Sequence, residues 1–468
     1  MTPGAKSIVS RLTVFALGLV LWFLPVPEGL TAPAWHLFAI FAATIASVIV
    51  GAFPILTASV LGLGAAVLSG TIKPAGAYAG FANATILLII VAFLLARAVV
   101  TSGLGQRLSF LVVSRFGRST LGLGYSLFFV DAVIAPAFPS NTARAGVLYP
   151  IAYSLAEAGG SRPDESTRRK MGAYLMFCGM ASLTVSSALW LTAMAANPLG
   201  SEIAAAHGLK ISFASWLLAS SLPTLLGMAL LPWLLYKVFP PTVRSTPDAP
   251  VAARSALAKM GRLSPAERSV AVTFLAMVVA WGLAATMKLD STAVAFTGLG
   301  VLLATGSLTS KDIAQEGDVL ATFIWFAALY GLSAHLNALG FMGYLGQRLG
   351  GALGGLPWIG AYVLLLVAYV LLHYLFVSQT AHLLALFGVF MDVGVTLGVP
   401  VTPLAFGLLF ATNYFSVLTP QGSSANLLFV GSGYLTQGEL YKLGTMTTVV
   451  LFVLYLVVGT PWVLFVMR

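Results

Sequence analysis

The sequence predicts an all-α polytopic membrane protein of about eleven transmembrane helices plus two re-entrant hairpins. Three observations lead there. Of 468 residues, 59% are hydrophobic and only 8% are charged, whereas a soluble domain carries about 25% charged residues. Apolar stretches recur at the length, roughly 17 to 25 residues, that a helix needs to cross a bilayer. Two further apolar stretches are longer and are interrupted by polar residues in their middle rather than at their ends.

The first run, Ile8 to Leu24, has basic flanks like a signal peptide. It lacks a small-residue cleavage site and is followed by many more apolar runs, so a retained first helix is expected. Further crossings are expected at 34–50, 54–70, 83–101, 170–196, 213–239, 267–286, 291–307, 318–337, 402–431 and 440–466, each bounded by Gly, Pro or charge clusters. The stretches 121–155 and 357–392 are too long for one span and carry their polar residues centrally. They read as re-entrant hairpins, which a membrane protein tolerates only where the non-helical tip is buried in protein or lines a watery cavity. The glycine-rich "LGGALGGLP" at 349–357 lacks the Lys and strand context of a phosphate loop and reads as a turn. Cys178 is the only cysteine, which excludes a disulfide framework, a thiolate metal cluster and a redox pair within the chain.

Charge orients the chain. With the N-terminus cytoplasmic and each hairpin returning to its own side, Lys73, Lys210, Lys288, Arg348 and Arg468 fall outside, and Arg97 and Arg144 fall within apolar segments. The other 17 of the 24 Lys and Arg fall inside, which supports that orientation and accounts for most of the net charge of +10 without a nucleic-acid partner. Residues 240–266, rich in Pro, Ala and basic side chains, are then a cytoplasmic linker. It separates residues 34–239 from 267–468, with a first helix and loop at 1–33.

The two halves repeat. "LGQRL" occurs at 104–108 and again at 345–349, and "SNTAR" at 140–144 matches "SQTAH" at 378–382 with an offset of 238 (378 minus 140). Ala196 and Asn197 match Ala425 and Asn426 at an offset of 229 (426 minus 197). Five crossings per repeat, an odd number, would insert the copies in opposite orientation. Inverted repeats of this kind are the architecture of secondary transporters with a midplane site.

The hairpin tips carry the candidate chemistry. Ser140, Asn141 and Thr142 offer hydroxyl and amide donors, and Ser378, Gln379 and Thr380 offer nearly the same set. A helix starting at each tip adds unpaired N–H groups and the positive end of its dipole, which together suit an anion. Helix capping is the alternative use of the same residues. Arg144 and His382 share one repeat position, two residues past each Thr. An Arg at membrane depth costs roughly 2.5 to 3.5 kcal/mol on the lenient insertion scale and needs a partner. A substrate carboxylate about 6 Å away at an effective dielectric near 20 would return on the order of 3 kcal/mol, and Asp131 in the other hairpin arm is the competing partner. His382 is equally open between a satisfied core histidine and a functional one.

Two broken helices complete the set. "LTAMAANPLG" at 191–200 places Asn197 and Pro198 late in a helical run, and "LTPQGSSANLL" at 418–428 places Pro420, Gly422, Ser423, Ser424 and Asn426 inside another. Unwound helices at matching repeat positions point to a binding site, with a packing kink as the alternative. His373 and Asp392 could join a proton path or be satisfied locally. No His/Glu/Cys cluster has metal-ligand spacing, so neither an enzyme nor a cofactor is expected.

"PSNTARAG" at 139–146, "SQTAH" at 378–382 and "NLLFVGSGY" at 426–434 resemble the divalent anion:sodium symporter family, most closely its citrate/succinate antiporter and plastid 2-oxoglutarate/malate translocator branch. The resemblance covers nearly the whole chain. It implies a homodimer in which a transport domain moves like an elevator against a scaffold, and C4 to C6 di- or tricarboxylates held between the two tips. The family's tip residues carry over to Ser140, Asn141, Thr142, Ser378, Gln379 and Thr380, with Gln379 departing from the Asn of sodium-coupled members. Those members build sodium sites around a Gly-[Ser or Thr]-Pro-Pro-Asn segment. Here the segments read "AMAAN" at 193–197 and "GSSAN" at 422–426, so no metal site is expected. The fixed charges of Arg144 and His382 would stand in for sodium, and obligatory exchange of carboxylates across a cell inner membrane would follow. Sodium- or proton-coupled symport is the alternative. Partners are expected to be small carboxylate anions and membrane lipid, with no nucleic acid.

Overall fold

The computed structural model describes residues 3–352 and 355–468. It is helical, and among the described residues the only strand-like pairing is an isolated antiparallel bridge between Ser119 and Ser245. In chain order the main helices are α1 Pro3–Phe23, α2 Ala32–Ile49, α3 Ile55–Leu68, α4 Ala84–Ser102, α5 Leu104–Phe116, α6 Thr120–Ile134 and α7 Asn141–Ala158. They continue with α8 Gly172–Leu189, α9 Ala196–Ala206, α10 Phe213–Val238, α11 Asp248–Met260, α12 Pro265–Met287 and α13 Ser291–Ala304. The rest are α14 Gly317–Ala338, α15 Phe341–Ala352, α16 Trp358–His373, α17 Gln379–Thr396, α18 Val401–Tyr414, α19 Asn426–Gly431, α20 Gln437–Leu454 and, after a π-helical turn at Tyr455–Gly459, α21 Thr460–Val466.

The stretches expected as hairpins are helix pairs, α6 with α7 and α16 with α17, and one arm of each, Thr120–Ala137 and Gln379–Thr396, is by itself long and apolar enough to cross a membrane. Among the described residues nine helical segments are long and apolar enough to cross a membrane. Three expected crossings, at 8–24, 54–70 and 291–307, correspond to shorter apolar stretches. A 14-residue helix such as α3 or α13 rises about 21 Å, less than the roughly 30 Å hydrocarbon core. The run expected at 170–196 ends at Leu189, and the one expected at 402–431 is divided into α18, a 3-10 turn at Pro420–Gly422 and α19.

Several elements depart from the sequence reading. The linker folds its central part into α11, which packs on α5. The "LGQRL" segments lie in α5 and α15, and α15 takes Leu349 to Ala352 out of the expected glycine-rich turn, of which residues 353 and 354 lie outside the described residues. These helices are amphipathic and too polar to read as spans.

The chain folds into two compact units, each drawing on both repeats. The first comprises Met1–Ile90, Leu199–Lys210 and Glu316–Leu408. In it α2, α3 and α14 pack together, α1 packs on α2, and α17 packs on α14, α15 and α16.

The second unit comprises Val91–Pro198, Ile211–Gln315 and Leu409–Arg468. Its centre is α8, every residue of which is buried, Cys178 included. A helix apolar or small on all sides is stable only when surrounded, and α6, α7 and α10 surround it. Here Arg107 grips Glu267 with both arms, Nε to Oε1 at 2.6 Å and Nη2 to Oε2 at 3.1 Å, while Nη1 donates to the Gly261 carbonyl at 2.9 Å. The partner is thus at the start of α12, where Glu267 also closes a capping box with Ser264.

Candidate functional site

The first hairpin tip is built by a change of backbone conformation. After α6 a 3-10 turn at Ala135–Ala137 contains Pro136, and Phe138 and Ser140 are extended. Ser140 then caps α7, its Oγ accepting from the Ala143 amide at 3.2 Å. Asn141 is buried, and its Oδ1 accepts from Arg144 Nη2 at 2.6 Å while its Nδ2 approaches Met194 Sδ at 3.8 Å. Thr142 is exposed, with its Oγ1 2.7 Å from Ser424 Oγ. The tip backbone is joined to the first broken segment by the Ala195 amide, which donates to the Pro139 carbonyl at 2.9 Å. The structure therefore brings Ser140, Asn141, Thr142 and the two broken segments together within the second unit.

Arg144 corrects an expectation. Its side chain is 0% exposed, as is that of Asp131, and the two form an ion pair at 3.4 Å from Nη1 to Oδ1. Nη1 also donates to Ser186 Oγ at 2.8 Å, Nη2 donates to the Leu183 carbonyl at 3.3 Å, and Ser186 Oγ donates in turn to Asp131 Oδ2. Asp131, rather than a substrate carboxylate, is the partner of the guanidinium. The physical reason is burial: an ion pair inside a low-dielectric interior forms with the nearest opposite charge that geometry allows. Arg144 reaches the tip only through Asn141, which it holds in place.

The broken segments explain how unwound backbone survives at this depth. After Leu189 the chain is extended at Trp190, makes a 3-10 turn at Leu191–Ala193 and is extended again at Met194. The break thus precedes Asn197 and Pro198, which fall in the first turn of α9, where a missing N–H is harmless. Four carbonyls at the end of α8 and just beyond it find side-chain donors. Asn197 Nδ2 serves Ser187 at 2.8 Å and Trp190 at 3.2 Å, Trp216 Nε1 serves Ala188 at 3.0 Å, and Ser220 Oγ serves Leu189 at 2.9 Å. In the second copy Asn426 Nδ2 serves Ser416 at 2.6 Å and Thr419 at 3.0 Å. Ser423 is buried and extended beside it.

The second tip lies in the first unit. Ser378 is extended and caps α17, accepting from the Ala381 amide at 3.2 Å, the same geometry as at Ser140. Gln379 and Thr380 are buried. His382 is 0% exposed and packs among Tyr369, Phe376 and His373, with ring centroids 4.2, 5.3 and 5.2 Å away. Its surroundings are aromatic, so it too lies within the helix packing rather than open at its tip. Asp392, on the same helix, pairs with His207 Nε2 at 2.9 Å. The sequence reading missed Ser186, Ser187, Asn413, Ser416 and Met194. The offset of 229 that relates the two Asn residues also relates Ser187 to Ser416, and would have flagged that pair.

The sequence model of the family described as "Sodium:sulfate symporter transmembrane region" matches residues 5–468. The chain belongs to that family. As a sodium:sulfate symporter family member it is a multi-pass membrane transporter and not an enzyme, in line with the resemblance to the divalent anion:sodium symporters. Dicarboxylate transporter 1 of Arabidopsis thaliana chloroplasts is 38% identical to it over 461 residues, 97% of this chain and 83% of the relative. The L-tartrate/succinate antiporter of Shigella sonnei is 31% identical over 475 residues, 96% of this chain and 97% of the relative. The crystal structure of the YdaH transporter of Alcanivorax borkumensis shares the fold, with a TM-score of 0.59 at 15% identity over 99% of both chains.

Proposed function

We propose that this transporter exchanges di- and tricarboxylates of the succinate, malate, tartrate, citrate and 2-oxoglutarate class across the membrane. The relatives named as a dicarboxylate transporter and a tartrate/succinate antiporter support that substrate class. The observation that carries the exchange reading is the guanidinium of Arg144, hydrogen-bonded to Asn141 at the back of the first tip. A cation that belongs to the chain organises this tip, so no dissociable cation is needed to do so. The Asn197 and Asn426 amides add to this, because they occupy helix-end carbonyls that a bound sodium ion would otherwise draw on.

Asp131 balances Arg144, so a net fixed charge is not what holds the empty site back. The donors at the tip do so instead. Ser140, Thr142 and the first amides of α7 lose water when the site moves through the bilayer, and only a bound anion restores their hydrogen bonds. Each tip offers the capped helix start and hydroxyl set that suits one carboxylate. The positive-inside count supports a cytoplasmic N-terminus, and the family resemblance supports an elevator motion in a homodimer of the inner membrane, with Gln379, Thr380 and Ser378 as substrate contacts.

Sodium- or proton-coupled symport of the same substrates is the second reading, favoured by the family's description. Counterflow in sodium-free proteoliposomes separates the two. Uptake of labelled succinate or malate that requires unlabelled dicarboxylate inside is the expected result. Uptake into empty vesicles driven by a sodium or proton gradient would establish symport instead.

A further inference from the structure

We propose that α1, α2 and α3 enclose a binding site for one phospholipid of the leaflet on the N-terminal side of the chain. These helices of the first unit line a cavity of about 360 Å³. Small residues line it: Gly18 and Gly62 let α1 and α3 come close to α2, where a Cβ would meet Ala43 and Thr44, and Ala43 and Ala65 are too short to fill the space beside these contacts. The helix α1 stands outside the sequence repeat, so closing this cavity is a role the repeat does not already give it.

Two features at one end of the cavity select a phospholipid over a plain hydrocarbon. Ser47 lines the cavity, is 2% exposed, and its hydroxyl has no hydrogen-bond partner among the described residues, whereas neighbouring Thr44 donates to the Ile40 carbonyl at 2.8 Å. A buried hydroxyl without a partner is uncommon, and an ester carbonyl in the cavity would accept from it. Arg11 stands at the same end, its Nε donating to the Ala52 carbonyl at 3.2 Å and its guanidinium 5.0 Å above the ring of Phe53, which lines the cavity. The Ala52 amide in turn bonds to the Ser47 carbonyl at 2.9 Å, which keeps Arg11 and Ser47 in one corner. Neither contact of Arg11 neutralises its charge, and its two terminal nitrogens suit a phosphate. At the far end Trp22, stacked on His36 at 4.0 Å, closes the apolar wall. From mouth to floor the order is guanidinium, hydroxyl, apolar channel, which is the order of phosphate, ester and acyl chain.

Native mass spectrometry of the detergent-purified protein tests this, with phosphatidylglycerol and the diacylglycerol of the same chains as probes. The wild type should hold one phosphatidylglycerol at least tenfold more tightly than diacylglycerol. Ala65→Phe, which fills the channel from its exposed side, should lower phosphatidylglycerol binding about tenfold, and Arg11→Gln should bring the two lipids to the same affinity. Arg11 is exposed, so that variant keeps the test readable should Ala65→Phe fail to fold. Unchanged binding in both variants, or equal affinity for the two lipids in the wild type, would overturn the proposal. So would a dimer that Ala65→Phe dissociates while no lipid is retained, since a second copy would then fill the cavity.

Discussion

Asn197 and Asn426 make the same two hydrogen bonds in two different helices: each side-chain amide donates to the carbonyls ten and seven residues before it. The pairs Ser187 with Trp190 and Ser416 with Thr419 are thereby the fixed ends of two membrane-buried breaks. Asn413 Nδ2 donates to Asn197 Oδ1 at 3.0 Å, so the first bracket is tied to the second broken helix. The matched Asn residues of the sequence are therefore structural brackets, and the unwound segments they hold are what the first tip rests against.

Asn197→Ala and Asn426→Ala should each destabilise the protein by about 1 to 3 kcal/mol, the cost of leaving buried acceptors unmet. The Asn197 variant should be the worse of the two because it also removes one of the two acceptors of the Asn413 amide. Thermal unfolding in detergent measures this. Equal stability of both variants with the wild type would mean that water satisfies these carbonyls.

Removing one member of a buried ion pair is costly because the other charge stays behind, typically about 3 to 5 kcal/mol. Arg144→Gln should therefore unfold the protein at a markedly lower temperature, and Arg144→Gln with Asp131→Asn should recover most of that loss. Exchange should remain lost in the double variant, since Asn141 no longer has its guanidinium holder. A double variant that is both stable and active would remove Arg144 from the transport cycle.

Thr142 is the exposed hydroxyl of the first tip. Thr142→Ala should leave the unfolding temperature within a degree or two of the wild type, as for most surface substitutions. A hydrogen bond to a charged group is worth about 1.5 to 3 kcal/mol, so succinate affinity should fall roughly tenfold or more. Succinate-dependent thermal shift reads both quantities in one experiment, and an unchanged shift would exclude Thr142 from the site.

His207, in the loop after α9, is raised above its ordinary pKa, chiefly by its hydrogen bond to Asp392. A raised folded-state value means that the stabilisation is fully present below the unfolded value of about 6.5 and is lost as pH rises through the folded value. The wild type should thus gain stability relative to His207→Gln as pH falls from about 9 to 6. Parallel pH profiles for the two proteins would show that the pair contributes nothing to folding.

Much of this architecture is legible in the sequence because its causes are local. Apolar runs at bilayer length dictate helices, since backbone groups in hydrocarbon must be satisfied within the segment. "SNTA" and "SQTA" each dictate a capped helix start, since Ser next to a helix presents its oxygen to the third amide along. Both helix pairs and both caps accordingly stand where the residue pattern places them. The position of the first break was less legible: Asn197 and Pro198 mark the helix after it, and the extended residues before them, Trp190 and Met194, have no breaking tendency of their own, whereas in the second copy Pro420 lies in the break itself.

The two "LGQRL" copies show where local sequence stops deciding. Arg107 is held by Glu267, 160 residues away, while Arg348 lies over the ring of Tyr344 in its own helix, 5.4 Å from its centroid. Arg144 and His382, equivalent by repeat, diverge in the same way, one to a carboxylate and the other to an aromatic cage. A charge at membrane depth takes its role from whichever opposite charge or dipole the packing brings within a few ångströms, because Coulomb energies in a low-dielectric interior fall off with distance and not with sequence separation. By itself the sequence determined the transporter architecture, the repeat and the capped tips. Only the tertiary structure decided that Arg144 answers Asp131 and steadies Asn141.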